Sequence, residues 1–275
     1  MNKRWFATPY LIWMVIFTIV PLFLIIFYAF TVKTDAGFVF SLEPFIRSLE
    51  PTYLKVIGRS VLLALISTII CLILGYPIAM ILTSKAFSQK SIYLMLFVIP
   101  MWMNFLLRTY AWLTLLEKNG FINVFLRKIG LNPLNLLYTN QAVVLGMVYN
   151  FLPFMVLPIY SVLKKLDFSL IESAQDLGAN SVEVFTKVIF PLSIPGVVSG
   201  ITMVFMPAVT TFVISRLLGG GHFFLIGNLI EDQFLTAGNW HFGSALSVVL
   251  MLLIIISMLI TSKYDTDKEG SVGLW

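Results

Sequence analysis

Ser169-Leu-Ile-Glu172-Ser-Ala174-Gln-Asp-Leu-Gly178-Ala-Asn-Ser-Val-Glu183-Val-Phe-Thr-Lys-Val188-Ile-Phe-Pro191 is the one long polar interval of the chain that still carries a helical pattern. Ser169 followed three residues later by Glu172 has the spacing of a capping box, in which the hydroxyl accepts one orphan amide and the carboxylate returns to another. A glycine takes the left-handed conformation at a helix C-terminus without steric cost, so Gly178 predicts a stop after about two turns. Asn180 and Glu183 then repeat the capping-box spacing. The stretch therefore predicts two short helices hinged at Gly178, the second leaving at an angle to the first.

Ala174, Leu177-Gly178 and Val184 also suit a helix-turn-helix that would enter a DNA groove. The rest of the chain excludes it. The 275 residues are 59% hydrophobic and 11% charged, with a mean hydropathy of +0.95, and several apolar runs approach the ~20 residues that cross a bilayer. The net charge of +5 comes largely from lysines flanking those runs, and no nucleic-acid partner is needed to explain it. No Gly-x-x-x-x-Gly-Lys-Ser/Thr loop is present, so the chain has no P-loop for ATP. His222 and His241 lack metal-site spacing. Cys71, alone and inside an apolar run, reads as a small hydrophobe.

In chain order, a basic start containing Lys3 and Arg4 precedes an apolar run over residues 10–30, too long for a signal-peptide core and kinked at Pro21. Residues 31–59 mix charges of both signs and read as a loop. The second span covers 60–82, broken near its end at Gly75-Tyr76-Pro77. A short connector with Lys85 and Lys90 leads to a third span over 91–116, unusually polar with Trp102, Asn104, Arg108, Tyr110 and Trp112. Arg108 falls roughly 25 Å along that helix, where snorkelling to the far interface, or an ion pair, offsets its insertion cost of about 2.5–3.5 kcal/mol.

Residues 117–141 form a loop with an interfacial helix. The fourth span, 142–163, carries Tyr149-Asn150 and two prolines, Pro153 and Pro158, which either kink it or let it line a cavity. After the polar loop (164–193), a fifth span runs over 194–214 with Pro207 at its middle. Residues 215–242, including Gly219-Gly220-Gly221, Glu231 and Asp232, read as an outer loop that partly re-enters, before a sixth span over 243–261. The chain thus divides into a first helix with its loop (1–59), a five-helix core (60–262) and a tail (263–275). Six spans place both termini on one side, and the basic start, the Lys85/Lys90 connector and Lys164-Lys165 assign that side to the cytoplasm.

The polar loop resembles the cytoplasmic loop of ABC-importer permeases, whose motif is Glu-Ala-Ala, three residues, Gly, nine residues, Ile-x-Leu-Pro. Glu172, Ala174, Gly178 and Pro191 fall on that spacing, while Ser173, Val188 and Phe190 depart from it but keep size or hydrophobicity. The stretches around Gly75-Tyr76-Pro77, Ile99 to Tyr110, Leu152 to Tyr160 and Leu217 to Leu235 resemble, more narrowly, the spermidine/putrescine permeases of the PotB type. The resemblance implies an all-α polytopic membrane protein with the type I importer fold, in a bacterial inner membrane. Glu172, Ala174, Gly178 and Pro191 would couple it to a pair of ATPase subunits. ATP and magnesium would be bound by those subunits and no cofactor by this chain. A second homologous permease and an extracellular polyamine-binding protein would complete the complex.

A polyamine needs carboxylates, carbonyls and aromatic faces, each cation–π contact adding about 0.5–2 kcal/mol. Trp102, Asn104, Tyr110, Glu117, Tyr149, Asn150, Pro207, Glu231 and Asp232 are the candidates for its path, with Trp240 a further aromatic. An importer permease for another small organic solute shares the loop motif. An ion-coupled secondary transporter is the alternative outside that class.

Overall fold

The computed structural model describes residues 4–35, 37–84, 91–221 and 223–262. Lys3, Lys85, Lys90, His222 and the tail from Lys263 lie outside the described residues. The first span, α1 (Pro9–Ala29), contains a π turn at Val15–Ile19. A proline ring clashes with the carbonyl four residues back. The backbone ahead of Pro21 opens accordingly, and the Val20 N–H bonds the Val15 carbonyl five residues away. The helix continues through the proline.

An antiparallel hairpin of β1 (Thr31–Thr34) and β2 (Gly37–Phe40), with Thr31 opposite Phe40, and a short α2 (Glu43–Ser48) occupy the interval expected to be a loop. The second span is α3 (Pro51–Thr83), which begins nine residues before the apolar run does. Glu50 is extended and Pro51 opens the first turn, where a missing N–H costs nothing. At 1.5 Å per residue, 33 residues reach roughly 50 Å, well beyond the hydrocarbon. Pro77 lies inside this helix without ending it, so the expected break at Gly75-Tyr76-Pro77 is absent.

The third span is not one rod. It consists of α4 (Ser91–Trp102) and α5 (Phe105–Leu116), in a bent pair of helices at 88°. Asn104 caps α5, its Oδ1 accepting from the amides of Leu106 at 2.8 Å and Leu107 at 3.4 Å. After α6 (Phe121–Lys128) comes α7 (Asn140–Lys164), the centre of the molecule. Met147, Met155, Val156 and Ile159 on α7 are fully buried between α3 and the next long helix.

Short α8 (Phe168–Asp176) precedes α9 (Ser181–Thr210), in which the second loop helix and the fifth span are one continuous helix. A π turn at Phe185–Ile189 absorbs Pro191 as the earlier one absorbs Pro21, with the Phe190 N–H on the Phe185 carbonyl. Small residues let these helices meet at backbone distance. A Cβ on Gly196 would stand 2.9 Å from the Pro158 carbonyl oxygen, and one on Gly200 2.7 Å from Met155 Sδ.

The chain then folds back through α10 (Val213–Gly219) and α11 (Ile226–Leu235) before α12 (Trp240–Ser262), the sixth span, which starts three residues earlier than expected. The expected re-entry is present. Ile214 and Leu218 of α10 are fully buried and would be the first atoms met by a Cβ on Gly146 of α7. Beside this core, α1 packs on α12 around Ala29, Ala245 and Val248.

Candidate functional site

The polar loop is built from α8, Gly178 and the first turn of α9. Asp167, and not Ser169, caps α8: its Oδ1 accepts from the Ser169 amide at 2.9 Å, and Ser169 lies inside the helix. The expected Ser169–Glu172 capping box is therefore replaced by a cap two residues earlier, where an aspartate in extended conformation meets the first free amides. The carboxyl of Asp167 is held below the ordinary aspartate range by that backbone N–H.

At the other end of α8, Gly178 has φ +86. Its N–H bonds the Gln175 carbonyl at 2.9 Å, and the Ala179 N–H bonds that of Ala174 at 3.1 Å. These two bonds make a Schellman motif, which satisfies the orphan carbonyls of α8 and turns the chain. Asn180 and Glu183 form the reciprocal capping box that opens α9, and Lys187 pairs with Glu183 at 3.1 Å. Glu172 is exposed, Ala174 half-buried and Pro191 exposed.

The loop is anchored to the membrane helices on one side and bare on the other. Phe168 and Ile171 of α8 line a narrow 160 Å³ gap with Met80, Leu163, Leu166 and Ile189. The Tyr76 ring on α3 meets Phe185 edge-on at 5.7 Å and Phe190 at 6.0 Å, which ties the root of α9 to α3. Leu177 is 89% exposed and Val182 69%, so apolar side chains stand in the open at the hinge.

The nine residues expected along a path do not converge on one cavity. Asn104 spends its side-chain oxygen as a helix cap. Trp102 is 74% exposed, and Tyr110 and Glu117 are also exposed. Tyr149 meets Trp112 edge-on at 5.3 Å. Asn150 is buried, with Nδ2 donating to the Gly146 carbonyl at 2.9 Å and Oδ1 unpartnered among the described residues. Pro207 and Asp232 are half-buried, on α9 and α11. Glu231 alone of the nine lines the 470 Å³ cavity between α9, α11 and α12, and its Oε1 pairs with Arg216 Nη1 at 3.1 Å.

Arg108 is a correction. It is 8% exposed, with Nε unpartnered among the described residues, and so is buried where snorkelling or an ion pair was expected. Its helix, α5, packs against α10 and α7.

Sequence reasoning missed Arg216, Ser60 and Asn228. Asn228 Nδ2 donates to the Phe212 carbonyl at 2.8 Å, its Oδ1 accepts from the Ser215 hydroxyl, and the Ile226 N–H donates to Ser60 Oγ at 2.8 Å. Together they pin the re-entrant segment to α3. The signal was an asparagine two positions after a hydrophobic pair, too common to single out.

Among the described residues, five long apolar helices and a bent pair that makes up a sixth span, with a polar loop before the fifth, define a polytopic helical membrane protein. A chain of the bacterial alginate ABC importer superposes with a TM-score of 0.79 at 16% identity, covering 94% of each chain. One of the MetNI methionine transporter gives 0.55 at 17% identity, covering 80% of this chain and 96% of that one. At such identity the likeness concerns the fold.

The chain belongs to the binding-protein-dependent transport system inner membrane component family, whose sequence profile matches residues 75–265. It is 40% identical over 253 residues to the spermidine/putrescine transport system permease protein PotB of Escherichia coli K12, covering 90% of this chain and 92% of that one. PotB of Haemophilus influenzae is 37% identical, with 93% and 91% covered. The inner membrane ABC transporter permease protein YdcU of Escherichia coli is 31% identical, with 77% and 72% covered.

Proposed function

We propose that this chain is the translocating subunit of an ATP-driven importer of polyamines, spermidine or putrescine. The observation that carries the substrate class is the identity of 40% with PotB sustained over 90% of the chain, which spans the membrane helices as well as the loop. In this reading an extracellular binding protein delivers the polyamine, a second permease completes the path, and a pair of ATPase subunits binds ATP and magnesium. The termini and the polar loop face the cytoplasm.

Coupling runs through α8, Gly178 and the root of α9. Leu177 and Val182, apolar and open to solvent on a polar loop, are what a docking surface for an ATPase cleft requires. Glu172 and Ala174 lie on the same short helix, and Pro191 sits where α9 enters the core. A rigid α8, capped at both ends, transmits closure of the ATPase pair to α9 and, through its glycine contacts, to α7.

The test is uptake of radiolabelled spermidine into vesicles holding this chain with its partner subunits and binding protein, with and without ATP on the cytoplasmic face. ATP-dependent uptake that unlabelled putrescine suppresses, and that Glu172→Arg abolishes, is the expected result. ATP hydrolysis stimulated by the binding protein without polyamine uptake keeps the permease and discards the substrate.

A further inference from the structure

The segment between the third and fourth spans is separated from α8 by the fourth span, and so lies on the other membrane face. Two side chains lock it shut. Asn123 of α6, fully buried, donates from Nδ2 to the carbonyls of Glu117 at 3.1 Å and Leu134 at 3.0 Å, and its Oδ1 accepts from the Leu134 N–H at 2.8 Å. Arg127 Nη2 donates to the Lys118 carbonyl at 3.1 Å and to Asn119 Oδ1 at 3.2 Å. Glu117 is the residue that ends α5, so the first of these bonds holds α6 at the depth where the third span stops. Gly120 is drawn in as closely, since a Cβ there would stand 2.4 Å from the Thr114 carbonyl oxygen.

A platform held this firmly turns apolar side chains outward. Ile122, Asn123 and Leu126 are covered by the protein, whereas Phe121 is 71% exposed and Phe125, one turn on, 55%. Ile129, Leu131 and Leu134, beyond the helix, are open as well. Residues 118–139 carry three cations, Lys118, Arg127 and Lys128, and no acid, and all three cations are exposed. The bond from Arg127 to the Lys118 carbonyl gathers charge at one edge of the stripe. Neither ion pair found among the described residues involves any of the three.

Open aromatic rings beside cations that lack a counter-charge match a partner already at hand. A bilayer surface offers acyl chains to the rings and phosphates to the cations, and amphipathic helices settle about 5–10 Å into that boundary. Lysine and arginine stems lie along apolar surface and place their charge in the headgroup layer. An anionic headgroup adds what a zwitterionic one cancels, each basic residue near an anionic surface being worth about fivefold in binding. An acidic protein face offers the same charge. The depth set by the bond from Asn123 to the end of the span favours lipid.

We infer that α6 and the turn that follows it form a binding site for an anionic phospholipid, with Phe121 and Phe125 seated at the acyl boundary and Lys118, Arg127 and Lys128 around the headgroup phosphate. The site anchors the connection between the third and fourth spans whatever solute the permease carries.

The test places a nitroxide at Phe125→Cys in the assembled complex, reconstituted into phosphatidylcholine vesicles with increasing phosphatidylglycerol. Collisions of the probe with oxygen, which concentrates in the bilayer, are compared with those of a water-soluble nickel chelate. Cys71 is fully buried, and the unsubstituted complex treated with the same label supplies the background. Oxygen collisions are expected to gain on nickel as phosphatidylglycerol rises. In Lys118→Gln/Lys128→Gln the half-maximal point is expected to need at least about fivefold more of that lipid. Those two glutamines leave the Asn123 and Arg127 bonds in place, so the variant keeps its fold.

A probe that the nickel chelate reaches at every composition lies in water, and one that neither collider reaches lies under a protein partner. Either result overturns the inference. So does an oxygen signal indifferent to phosphatidylglycerol and to both lysines, which means an apolar contact without a headgroup site.

Discussion

The Tyr76 hydroxyl stands 2.7 Å from Ser193 Oγ, across 117 positions of sequence. Ser193 donates its own proton to the Phe190 carbonyl at 2.8 Å, so Tyr76 is the donor in the pair. The bond fastens α3 to the root of α9, two residues past Pro191. Tyr76→Phe keeps the ring against Phe185 and Phe190 and removes only the donor, at about 1 kcal/mol. In detergent-purified complex the thermal midpoint is expected to fall by about 2–4 °C. Because both substitutions break one bond, the Tyr76→Phe/Ser193→Ala double variant should lose little more than the larger single loss. Strict additivity of the two would show that the hydroxyls act separately.

Gly178 sets the hinge of the polar loop by conformation alone. At φ +86 an added Cβ meets no atom of the described residues within 4 Å, so Gly178→Ala is opposed by the left-handed backbone, about 1–2 kcal/mol. Gly178→Pro is more severe, since proline fixes φ near −65° and has no N–H for the Gln175 carbonyl. The variant should still reach the membrane, because the spans are untouched. Uptake per ATP hydrolysed is the quantity to measure, and it should fall by at least about tenfold with ATPase activity retained. Normal uptake would remove α8 and Gly178 as a lever.

How much of this was legible depended on which force placed each element. Apolar runs mark what lies in hydrocarbon, so α1, α7 and α12 were readable to within a few residues. Helix outside the bilayer leaves no such mark. Residues 51–59, with Lys55 and Arg59, read as loop although α3 runs through them. The break between α4 and α5 was available, since Pro100 followed by Asn104 is a stop and a cap, but the asparagine was read as a path residue. At Pro191 the sequence suggests an end and the backbone instead inserts a π turn. The Glu231 cavity was beyond sequence reasoning because Thr210, Glu231 and Ser247 sit on three helices that only the re-entrant fold brings together.

The contact of α7 with α9 is made by missing side chains. A Cβ at Gly196 would lie 2.9 Å from the Pro158 carbonyl oxygen and 3.1 Å from Ile159 Cα, backbone atoms that cannot rotate away. Gly196→Ala should therefore force the two helices apart and cost about 1–3 kcal/mol. Gly58, on α3 at a position where a Cβ meets nothing among the described residues within 4 Å, is the control. There alanine should be neutral or stabilise by about 0.4–1 kcal/mol. Thermal unfolding of the two variants in the same detergent checks the contrast, and equal midpoints would refute the packing argument.

The cap of α8 gives the loop a pH dependence of known sign. The backbone N–H of Ser169 lowers the carboxyl pKa of Asp167 from the model-peptide value of 3.8. A group whose pKa is depressed on folding stabilises the fold above its unfolded pKa and loses that contribution as pH falls through the folded one. The first turn of α8 should accordingly loosen only below about pH 4 and be insensitive at neutral pH. Asp167→Asn keeps an oxygen for the Ser169 amide but cannot titrate. Amide hydrogen exchange of Ser169 and Leu170, corrected for intrinsic rates, should rise on acidification in the wild-type chain and stay level in Asp167→Asn. Parallel profiles for the two chains would mean that the cap is not what holds the start of this helix.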